Sequence, residues 1–336
     1  MMEPKISIVM PFRNSASTLP EALASVRAQT FTEWELLAVD DHSDDGSAEL
    51  VRAVCEKDPR VRLLGNAQTA GVVGASRTAG DLAFSQWLAR MDSDDVSHPQ
   101  RLEKQWRLCL SEPELDVIGC GVEILSPQGE GMVRHVEWVN SLMTSEEISN
   151  ARFVENPLVH PSSLMRKAAV DAVGGYQEVA WAEDHDLWLR LLEDGAAFGK
   201  VPETLLSWRD SPGRLTRSDP RYGDPLRHKM RAHYLSRMDR VRRDGVVIAG
   251  AGPIGKTMAR ELVEIGVAVN GFFEVHPRRI GETIHGADVA SEKEVGKRWR
   301  ESVLLSAVGI PGGREQVVRL AVDVGYERGI DFWEVC

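Results

Sequence analysis

The chain has 336 residues, of which 43% are hydrophobic, so it is long enough for two domains and apolar enough to bury a core. Its formal net charge of −11 excludes a general nucleic-acid-binding protein, whose phosphate contacts need a basic surface. The four cysteines lie far apart and form no C-x-x-C pair, so neither a zinc site nor a disulfide framework is indicated.

Short apolar runs alternate with periodic stretches over the first 100 residues. Apolar runs bounded by turn residues are typical of buried parallel strands, and the stretches between them have helical spacing. The predicted strands are 6–10, 34–39, 61–64 and 87–91, and the predicted helices are 19–29, 47–55 and 71–82. This order predicts a doubly wound, mostly parallel α/β sheet.

Acidic residues follow two of these predicted strands. Asp40 and Asp41 end the second strand, and Asp92, Asp94 and Asp95 end the fourth. Because ligands of open α/β sheets bind outside the carboxyl ends of the strands, both clusters should face one crevice. Crowded carboxylates repel one another unless a cation lies among them, and hard oxygen ligands suit Mg²⁺ or Mn²⁺. The second cluster therefore predicts a divalent metal site, with a solvated helix-capping turn as the alternative.

Several segments resemble motifs of family 2 glycosyltransferases, which have the GT-A fold. The matching segments are Pro4–Asn14, Gln29–Phe31, Glu35–Ser43, Ala89–Asp95 with Pro99–Leu102, Asn156–Ser162 and Ala182–Arg190. They occur in the order that the family has. The resemblance implies a metal-dependent, inverting transfer of a sugar from a nucleoside-diphosphate sugar to a hydroxyl group of a saccharide or glycolipid acceptor.

The resemblance also implies which residues bind the donor. Pro11 and Asn14 would line the nucleotide pocket from the loop after the first strand. Asp41 would read the edge of the base, with Asp40 as the second candidate. Arg77 would lie near the nucleotide or its diphosphate.

Two positions near this arginine depart from the family pattern. Thr78 stands where an asparagine is usual, and Phe84–Gln86 replaces the usual Gly-Glu-Tyr. In a later segment, the arginines of Trp208–Arg214 have the planar geometry that suits a phosphate. Two interpretations of this segment are open: it closes over the diphosphate, or it is an ordinary exposed loop.

Metal and catalytic residues are implied in the same way. Asp94 would be the direct metal ligand, and Asp92 would approach the ribose or the metal. Asp184 matches the base that takes the proton of the acceptor hydroxyl, and Glu183 beside it would contact the acceptor. Electrostatic stabilisation of a helix N-terminus is the alternative for both. His160 would lie near the donor phosphates or the acceptor, or else be an exposed loop residue.

The chain changes character after the last of these motifs. Residues 1–210 are predicted to be the catalytic domain, 211–244 a linker and a helix, and 245–336 a small Rossmann-like domain. In that last range Gly250, Gly252 and Gly255 stand between a predicted strand and a predicted helix, and Glu274 follows the next strand.

This glycine pattern is the context of a nucleotide-binding turn. NAD or a sugar nucleotide is the predicted ligand of the turn, with a scaffolding role as the alternative. The Tyr-x-x-x-Lys pair of short-chain dehydrogenases does not occur in this range, which argues against hydride transfer.

Three functions from different classes remain open. They are the metal-dependent glycosyltransferase, an NAD-dependent sugar-nucleotide oxidoreductase and a non-catalytic sugar-nucleotide-binding module. The acidic clusters favour the transferase, because a nicotinamide enzyme needs neither of them. No leader pattern and no apolar run of about 18 residues is present, which predicts a cytoplasmic protein without a membrane span, and peripheral contact with a membrane is compatible with that prediction.

Overall fold

The structure is a computed structural model. It describes residues 3–125, 129–211, 213–310 and 312–336, apart from the side chain of Leu215. Within these ranges, no helix is long and apolar enough to cross a membrane.

The chain divides into two compact units. The first comprises Met1–Ile148 and Pro157–Ser218, and the second comprises Ser149–Asn156 and Asp219–Cys336. These bounds differ from the predicted domains in two places. A short segment inside the first predicted domain belongs to the second unit, and most of the predicted linker at 211–244 is also part of that unit.

The first unit alternates strands and helices in its first half and is less regular afterwards. Its strands are β1 (Ile6–Phe12), β2 (Trp34–Asp40), β3 (Val61–Gly65), β4 (Trp87–Arg90), β5 (Val96–Ser97), β6 (Leu115–Leu125), β7 (Leu164–Arg166) and β8 (Ala197–Arg209). Its helices are α1 (Leu19–Arg27), α2 (Ser47–Cys55), α3 (Val72–Leu82), α4 (Arg101–Ser111), α5 (Glu130–Ser141), α6 (Ser145–Ala151), α7 (Lys167–Ala172), α8 (Glu183–Glu193) and α9 (Leu215–Ser218). Helix α6 ends in the segment that belongs to the second unit.

The eight strands form a sheet in the order β3-β2-β1-β4-β7-β6-β8-β5. The first four pair in parallel, β7 runs antiparallel to both of its neighbours, and β6 pairs with β8 in parallel. This confirms the predicted doubly wound, mostly parallel sheet. The carboxyl ends of β2, β1 and β4 consequently lie side by side at one edge.

Both faces of the sheet are covered, as parallel sheets require. Alternate residues of β1 show the two sides: Ile8 and Met10 pack with helix residues such as Leu23 on one face, and Val9 packs with Val73 on the other. Each of these side chains is at most 2% exposed. Full burial of one such side chain contributes about 1.5–3 kcal/mol, so the near-continuous apolar runs of the sequence are explained by burial on two sides.

The predicted position of Pro11 is wrong. Pro11 lies within β1 and not in the loop after that strand. It pairs with Val39 of β2, whereas the pairing of β1 with β4 ends at Val9 and Arg90. Proline lacks the N–H of a strand ladder. Its position beyond the last β4 pair is one where that N–H is not needed for the ladder.

The second unit has a smaller sheet in the order β11-β12-β10-β9-β13-β14. All its pairs are parallel except β11 with β12. Its strands are β9 (Val246–Ala249), β10 (Val269–Glu274), β11 (Thr283–Ile284), β12 (Ala287–Ser291), β13 (Val303–Ser306) and β14 (Phe332–Glu334). Its helices are α10 (Asp224–Arg237), α11 (Asp239–Asp244), α12 (Pro253–Glu264) and α13 (Gly313–Asp323).

Helix α3 contains two glycines, which weaken a helix in isolation. A Cβ built on Gly74 would lie 1.8 Å from the carbonyl oxygen of Thr69, so the helix can approach the preceding loop only without a side chain there. A Cβ on Gly80 would have no heavy atom within 4 Å. The first glycine is therefore required by packing, and the second is not.

These two glycines form a matched pair of substitutions. We expect Gly74→Ala to lower the free energy of unfolding by roughly 1–3 kcal/mol, because the loop backbone must move. We expect Gly80→Ala to raise it by about 0.5–1 kcal/mol, because alanine is the better helix residue in open space. Urea denaturation of both variants measures the two changes, and equal effects in the same direction would contradict the close approach.

Candidate functional site

The loops after β1, β2 and β4 converge at the carboxyl edge of the first sheet. Ser15, after β1, shares a hydrogen bond of 2.9 Å between its Oγ and the Oγ of Ser93 in the acidic segment after β4. The N–H of Ser15 donates to Ser47 Oγ at the start of α2, at 2.8 Å. The predicted meeting of the two acidic clusters in one region therefore has a structural basis in these contacts.

The acidic segment after β4 gathers three carboxylates. One oxygen from each of Asp92, Asp94 and Asp95 lies within 4.8 Å of the others. Burial and the neighbouring Asp92 charge raise the pKa of Asp94, while Arg214 and Arg209 act in the opposite direction. Oxygen donors at this spacing suit a hard divalent cation such as Mg²⁺ or Mn²⁺.

Asp92 is also bound by a buried cation. The Nη2 atom of Arg90 lies 2.5 Å from Asp92 Oδ1, and the arginine side chain is 3% exposed. The same guanidinium donates through Nη1 to the carbonyl of Met91 at 2.5 Å. Arg90 therefore holds one oxygen of Asp92 in place.

Asp95 holds a different partner. It is 1% exposed, and its Oδ1 accepts the backbone N–H of Arg209 at 2.8 Å. The Nε of Arg209 donates to the carbonyl of Asp94 at 2.7 Å, and its Nη2 lies 2.5 Å from Glu21. Burial, followed by the charges of its two acidic neighbours, raises the pKa of Asp95 well above its usual range. Asp95 therefore anchors the end of β8 to the acidic segment.

A second acidic pair begins helix α8. Glu183 is 3% exposed and is the first residue of the helix, with Asp184 next to it. Burial, then the charge of Glu183, raises the pKa of Asp184 to about 7, although the N–H of His185 partly offsets both effects. A carboxyl group with a pKa near neutrality is suited to accept or donate a proton at physiological pH.

Asp186, in the same helix turn, has structural partners. Its two carboxylate oxygens accept from Trp181 Nε1 and Arg190 Nε, each at 2.8 Å. Trp188, one turn after Asp184, is fully buried in the core. Asp186 and Trp188 therefore hold helix α8 in place, whereas Glu183 and Asp184 are the acidic residues at its first positions.

His160 is buried, so the interpretation as an exposed loop residue is wrong. It is 7% exposed, and its Nε2 shares a hydrogen bond of 2.7 Å with the hydroxyl of Tyr176. Burial, then the nearby Arg90 cation, holds the pKa of His160 well below its usual range, so the ring is neutral. Arg101 supports this segment, because it donates to the carbonyls of Pro161 at 2.6 Å and Arg90 at 3.3 Å.

Most of the residues that the resemblance assigns to the nucleotide lie at or near the ends of β1 and β2. Asp41 is 4% exposed, while Asp40 accepts the N–H of Ser43 at 3.0 Å. Asn14 has a positive φ of 48° and accepts the N–H of Asp44 at 2.9 Å, which fixes the loop after β1. Arg77 is exposed on α3 and makes no ion pair with a described residue.

The glycine turn of the second unit follows β9. Gly250 has φ +104°, and a Cβ on Gly255 would lie 2.0 Å from the Gly250 carbonyl, so both positions need glycine. Glu274 accepts the N–H of Ala251 at 3.1 Å and pairs with Arg279 at 3.0 Å. Any ligand of this turn would have to share Glu274 with these partners.

Comparison with known proteins identifies the first unit. The sequence profile described as glycosyl transferase family 2 matches residues 7–174, which is half of the chain. The chain belongs to this family. It is therefore a glycosyltransferase, and the family resemblance of its motifs is confirmed.

Individual relatives of this glycosyltransferase are distant. The O-antigen biosynthesis glycosyltransferase WbnJ of Escherichia coli is 28% identical over 207 residues, which cover 61% of this chain and 79% of WbnJ. The crystal structure of S. aureus TarS 1-349 in complex with UDP-GlcNAc aligns with TM-score 0.59 at 17% identity, over 78% of this chain and 72% of that one.

A second solved structure has a similar fold. Mannosyltransferase PcManGT of Pyrobaculum calidifontis, in complex with GDP-Man and Mn²⁺, aligns with TM-score 0.50 at 17% identity, over 70% of this chain and 63% of that one. At such low identity, the two solved structures support the fold alone. They agree with the GT-A fold that the motifs of the glycosyltransferase implied.

Several residues of the site escaped the sequence analysis. Arg90 was counted as part of an apolar strand, although a charged residue inside such a run was a signal for a buried ion pair. Tyr176 and Glu21 gave no local signal, because their partners lie far away in sequence. Arg209 was a candidate for phosphate contact, but its ion pair with Glu21 gave no local signal. The structure brings them to the candidate site through the packing of the sheet edge.

Substitution of Asp95 distinguishes an anchor from a metal ligand. Asp95→Asn keeps an oxygen that accepts the Arg209 N–H, so we expect Mn²⁺-dependent binding of UDP or GDP close to that of the wild type. Asp95→Ala leaves the buried N–H without its acceptor, which costs about 1–3 kcal/mol of stability. Calorimetric titration and urea denaturation measure both effects. Equal loss of Mn²⁺ dependence in the two variants would make Asp95 a metal ligand.

Proposed function

We propose that this glycosyltransferase moves a sugar from a nucleoside-diphosphate sugar to a hydroxyl group of a saccharide or glycolipid, with inversion at the anomeric carbon and with Mg²⁺ or Mn²⁺. The observation that carries the proposal is the pairing of an Asp92–Asp94 oxygen cluster with a near-neutral carboxyl at Asp184. Both belong to the first unit, and the Asp92 charge is a minor cause of the raised pKa of Asp184, after burial and the charge of Glu183. A metal ligand set and a proton acceptor are the two parts that such a transfer needs.

The donor nucleotide would bind at the ends of β1 and β2. Asp41 is proposed to accept an N–H from the base, with Asp40 and Asn14 shaping the surrounding loop. Pro11 would contribute from the end of strand β1, and Arg77 would supply a positive charge from α3. In the solved neighbours, TarS is in complex with UDP-GlcNAc and PcManGT with GDP-Man, which supports a sugar-nucleotide donor without selecting its base.

Asp94 is proposed as the direct metal ligand, with an oxygen of Asp92 as the second. PcManGT is in complex with Mn²⁺ as well as its donor, which supports a metal in this fold. A divalent cation, when bound, acts as a Lewis acid that stabilises the negative charge of the departing diphosphate. The residues fit such an ion, because their donors are hard carboxylate oxygens within 4.8 Å of one another.

Asp184 is proposed as the catalytic base. In the transfer, the acceptor oxygen forms a bond to the anomeric carbon while the bond from that carbon to the diphosphate oxygen breaks. The proton of the acceptor hydroxyl goes to the Asp184 carboxylate, and the electron pair of the broken bond leaves with the diphosphate. Attack on the face opposite the leaving group inverts the configuration. Glu183 and His160 would border the acceptor side of this carboxylate.

Metal binding is tested first by Asp94→Ala. We expect this variant to lose the Mn²⁺-dependent increase in affinity for UDP or GDP while its circular dichroism stays unchanged, because the variant lacks the direct ligand. Isothermal titration with and without Mn²⁺ measures the difference. Glu49→Ala removes an exposed carboxylate of α2 and serves as the control for net charge. Persistence of the full Mn²⁺ effect in Asp94→Ala would contradict the ligand assignment.

The pH profile tests the base. Asp184 accepts a proton only when it is ionised, so kcat/KM for the donor–metal complex should decline as pH falls through about 7, the pKa of this group in the free protein. Asp184→Asn should reduce turnover by a factor on the order of 10² or more. Donor binding should change little, because the amide keeps the shape of the carboxyl group.

Glu183→Gln provides the matched variant. Its like charge is the second cause of the raised pKa of Asp184, so its removal should move the acidic limb to lower pH. Stopped assays that measure release of the nucleoside diphosphate across pH 5–9 would give the profile. Proton transfer would be assigned to another group if the acidic limb of the kcat/KM profile stayed at the same pH in Glu183→Gln. Near-normal turnover in Asp184→Asn would have the same meaning.

A further inference from the structure

The side-chain amide of Asn66, in the loop after β3, contacts the carboxylate at the end of β2. Its Nδ2 donates to Asp41 Oδ1 at 2.7 Å and to the carbonyl of Thr69 at 3.0 Å. Its backbone N–H donates to the carbonyl of Asp40 at 2.9 Å. The loop after β3 is therefore bound to the end of β2 by both main chain and side chain.

Thr78 determines how the amide is turned. Its hydroxyl donates to Asn66 Oδ1 at 3.2 Å and accepts the N–H of Ala67 at 3.1 Å, and the residue is 3% exposed. The N–H of Gln68 also donates to Asn66 Oδ1, at 2.9 Å. With two donors directed at its oxygen, the amide presents its NH₂ group to Asp41.

The second oxygen of Asp41 has its own donors. Oδ2 accepts the N–H of Gly71, which precedes α3, at 2.9 Å, and Arg13 Nη1 lies 3.8 Å away. Because each oxygen is bound from a different direction, rotation of the carboxylate would break a charge-assisted hydrogen bond. The group is therefore an acceptor with a fixed direction.

We propose that Asn66 and Thr78 are positioning residues for the nucleobase of the donor. They hold Asp41 so that its remaining acceptor capacity meets a ring N–H of the base, such as N3–H of uracil or N1–H of guanine. This inference rests on the proposed function, in which Asp41 binds the base. It also gives a structural role to Thr78, the position where this chain departs from the family pattern.

The proposed base contact of Asp41 can be distinguished experimentally from the proposed metal site, because the two would contact different parts of the donor. Asp41 follows β2 and would contact the base, whereas Asp92 and Asp94 follow β4 and would contact the metal, the phosphates or the ribose. Misorientation of Asp41 should therefore weaken binding of a whole nucleotide and leave binding of a bare diphosphate unchanged. A general loss of structure would weaken both.

The experiment compares three probes in the presence of Mn²⁺: UDP, GDP and inorganic pyrophosphate. Isothermal titration is carried out on the full chain for the wild type, Asn66→Ala, Thr78→Val and Thr78→Ser. Thr78→Val has the same shape without the hydroxyl, and Thr78→Ser restores the hydroxyl. Since a hydrogen bond to a charged group contributes about 1.5–3 kcal/mol, its loss corresponds to a factor of about 10 or more in affinity.

We expect Asn66→Ala and Thr78→Val to bind the preferred nucleotide about tenfold more weakly and to bind pyrophosphate as the wild type does. We expect Thr78→Ser to bind all three probes as the wild type does. Equal weakening of nucleotide and pyrophosphate would show a merely structural role and overturn the inference, as would unchanged nucleotide binding. A wild type that binds pyrophosphate as tightly as either nucleotide would show that the base is not read and also overturn it. A wild type that binds none of the three probes overturns the proposed function itself, and the inference with it.

Discussion

The buried ion pair between Arg90 and Asp92 is the constraint on which the first unit's site depends. Several carboxylates crowd the carboxyl edge of the sheet, and burial of such groups without compensation is costly. Arg90 lies at the end of a central strand, and its side chain is 3% exposed. After burial, its charge is the second cause that lowers the pKa of His160. One guanidinium thus offsets acidic charge in the segment after β4 and contributes to the lowered pKa of the neighbouring imidazole.

The sequence was sufficient for features with a local or periodic origin. Apolar runs predicted the strands of the first half to within a few residues, since strands covered on both faces have few alternatives to apolar side chains. The two acidic clusters and the start of α8 were also visible, because each is a contiguous stretch. Pro11 was misplaced for a physical reason. Proline is disfavoured inside a sheet because it lacks the N–H of the ladder, but its position beyond the last β4 partner removes this penalty.

Features that depend on distant pairing could not be read from the chain. The placement of β7 between β4 and β6, antiparallel to both, has no periodic signal. The same applies to the amide of Asn66, which is an ordinary loop residue until β2 and β3 pair. Residues 149–156 belong to the second unit although the chain on both sides of them belongs to the first. Position along the chain does not predict which unit such a segment belongs to, because the units are defined by contacts in three dimensions.

The hydrogen bond from the Arg209 N–H to Asp95 also has a consequence for biosynthesis. Its partners are 114 residues apart, so the anchor of the acidic segment is not yet made when that segment leaves the ribosome. At the usual 5–20 residues per second, translation takes roughly 6–23 s to supply β8. During this interval the nascent chain carries the whole acidic segment after β4 without the strand that ties it down. The hydrogen bond that ties β8 to the acidic segment can therefore form only after β8 has been synthesised.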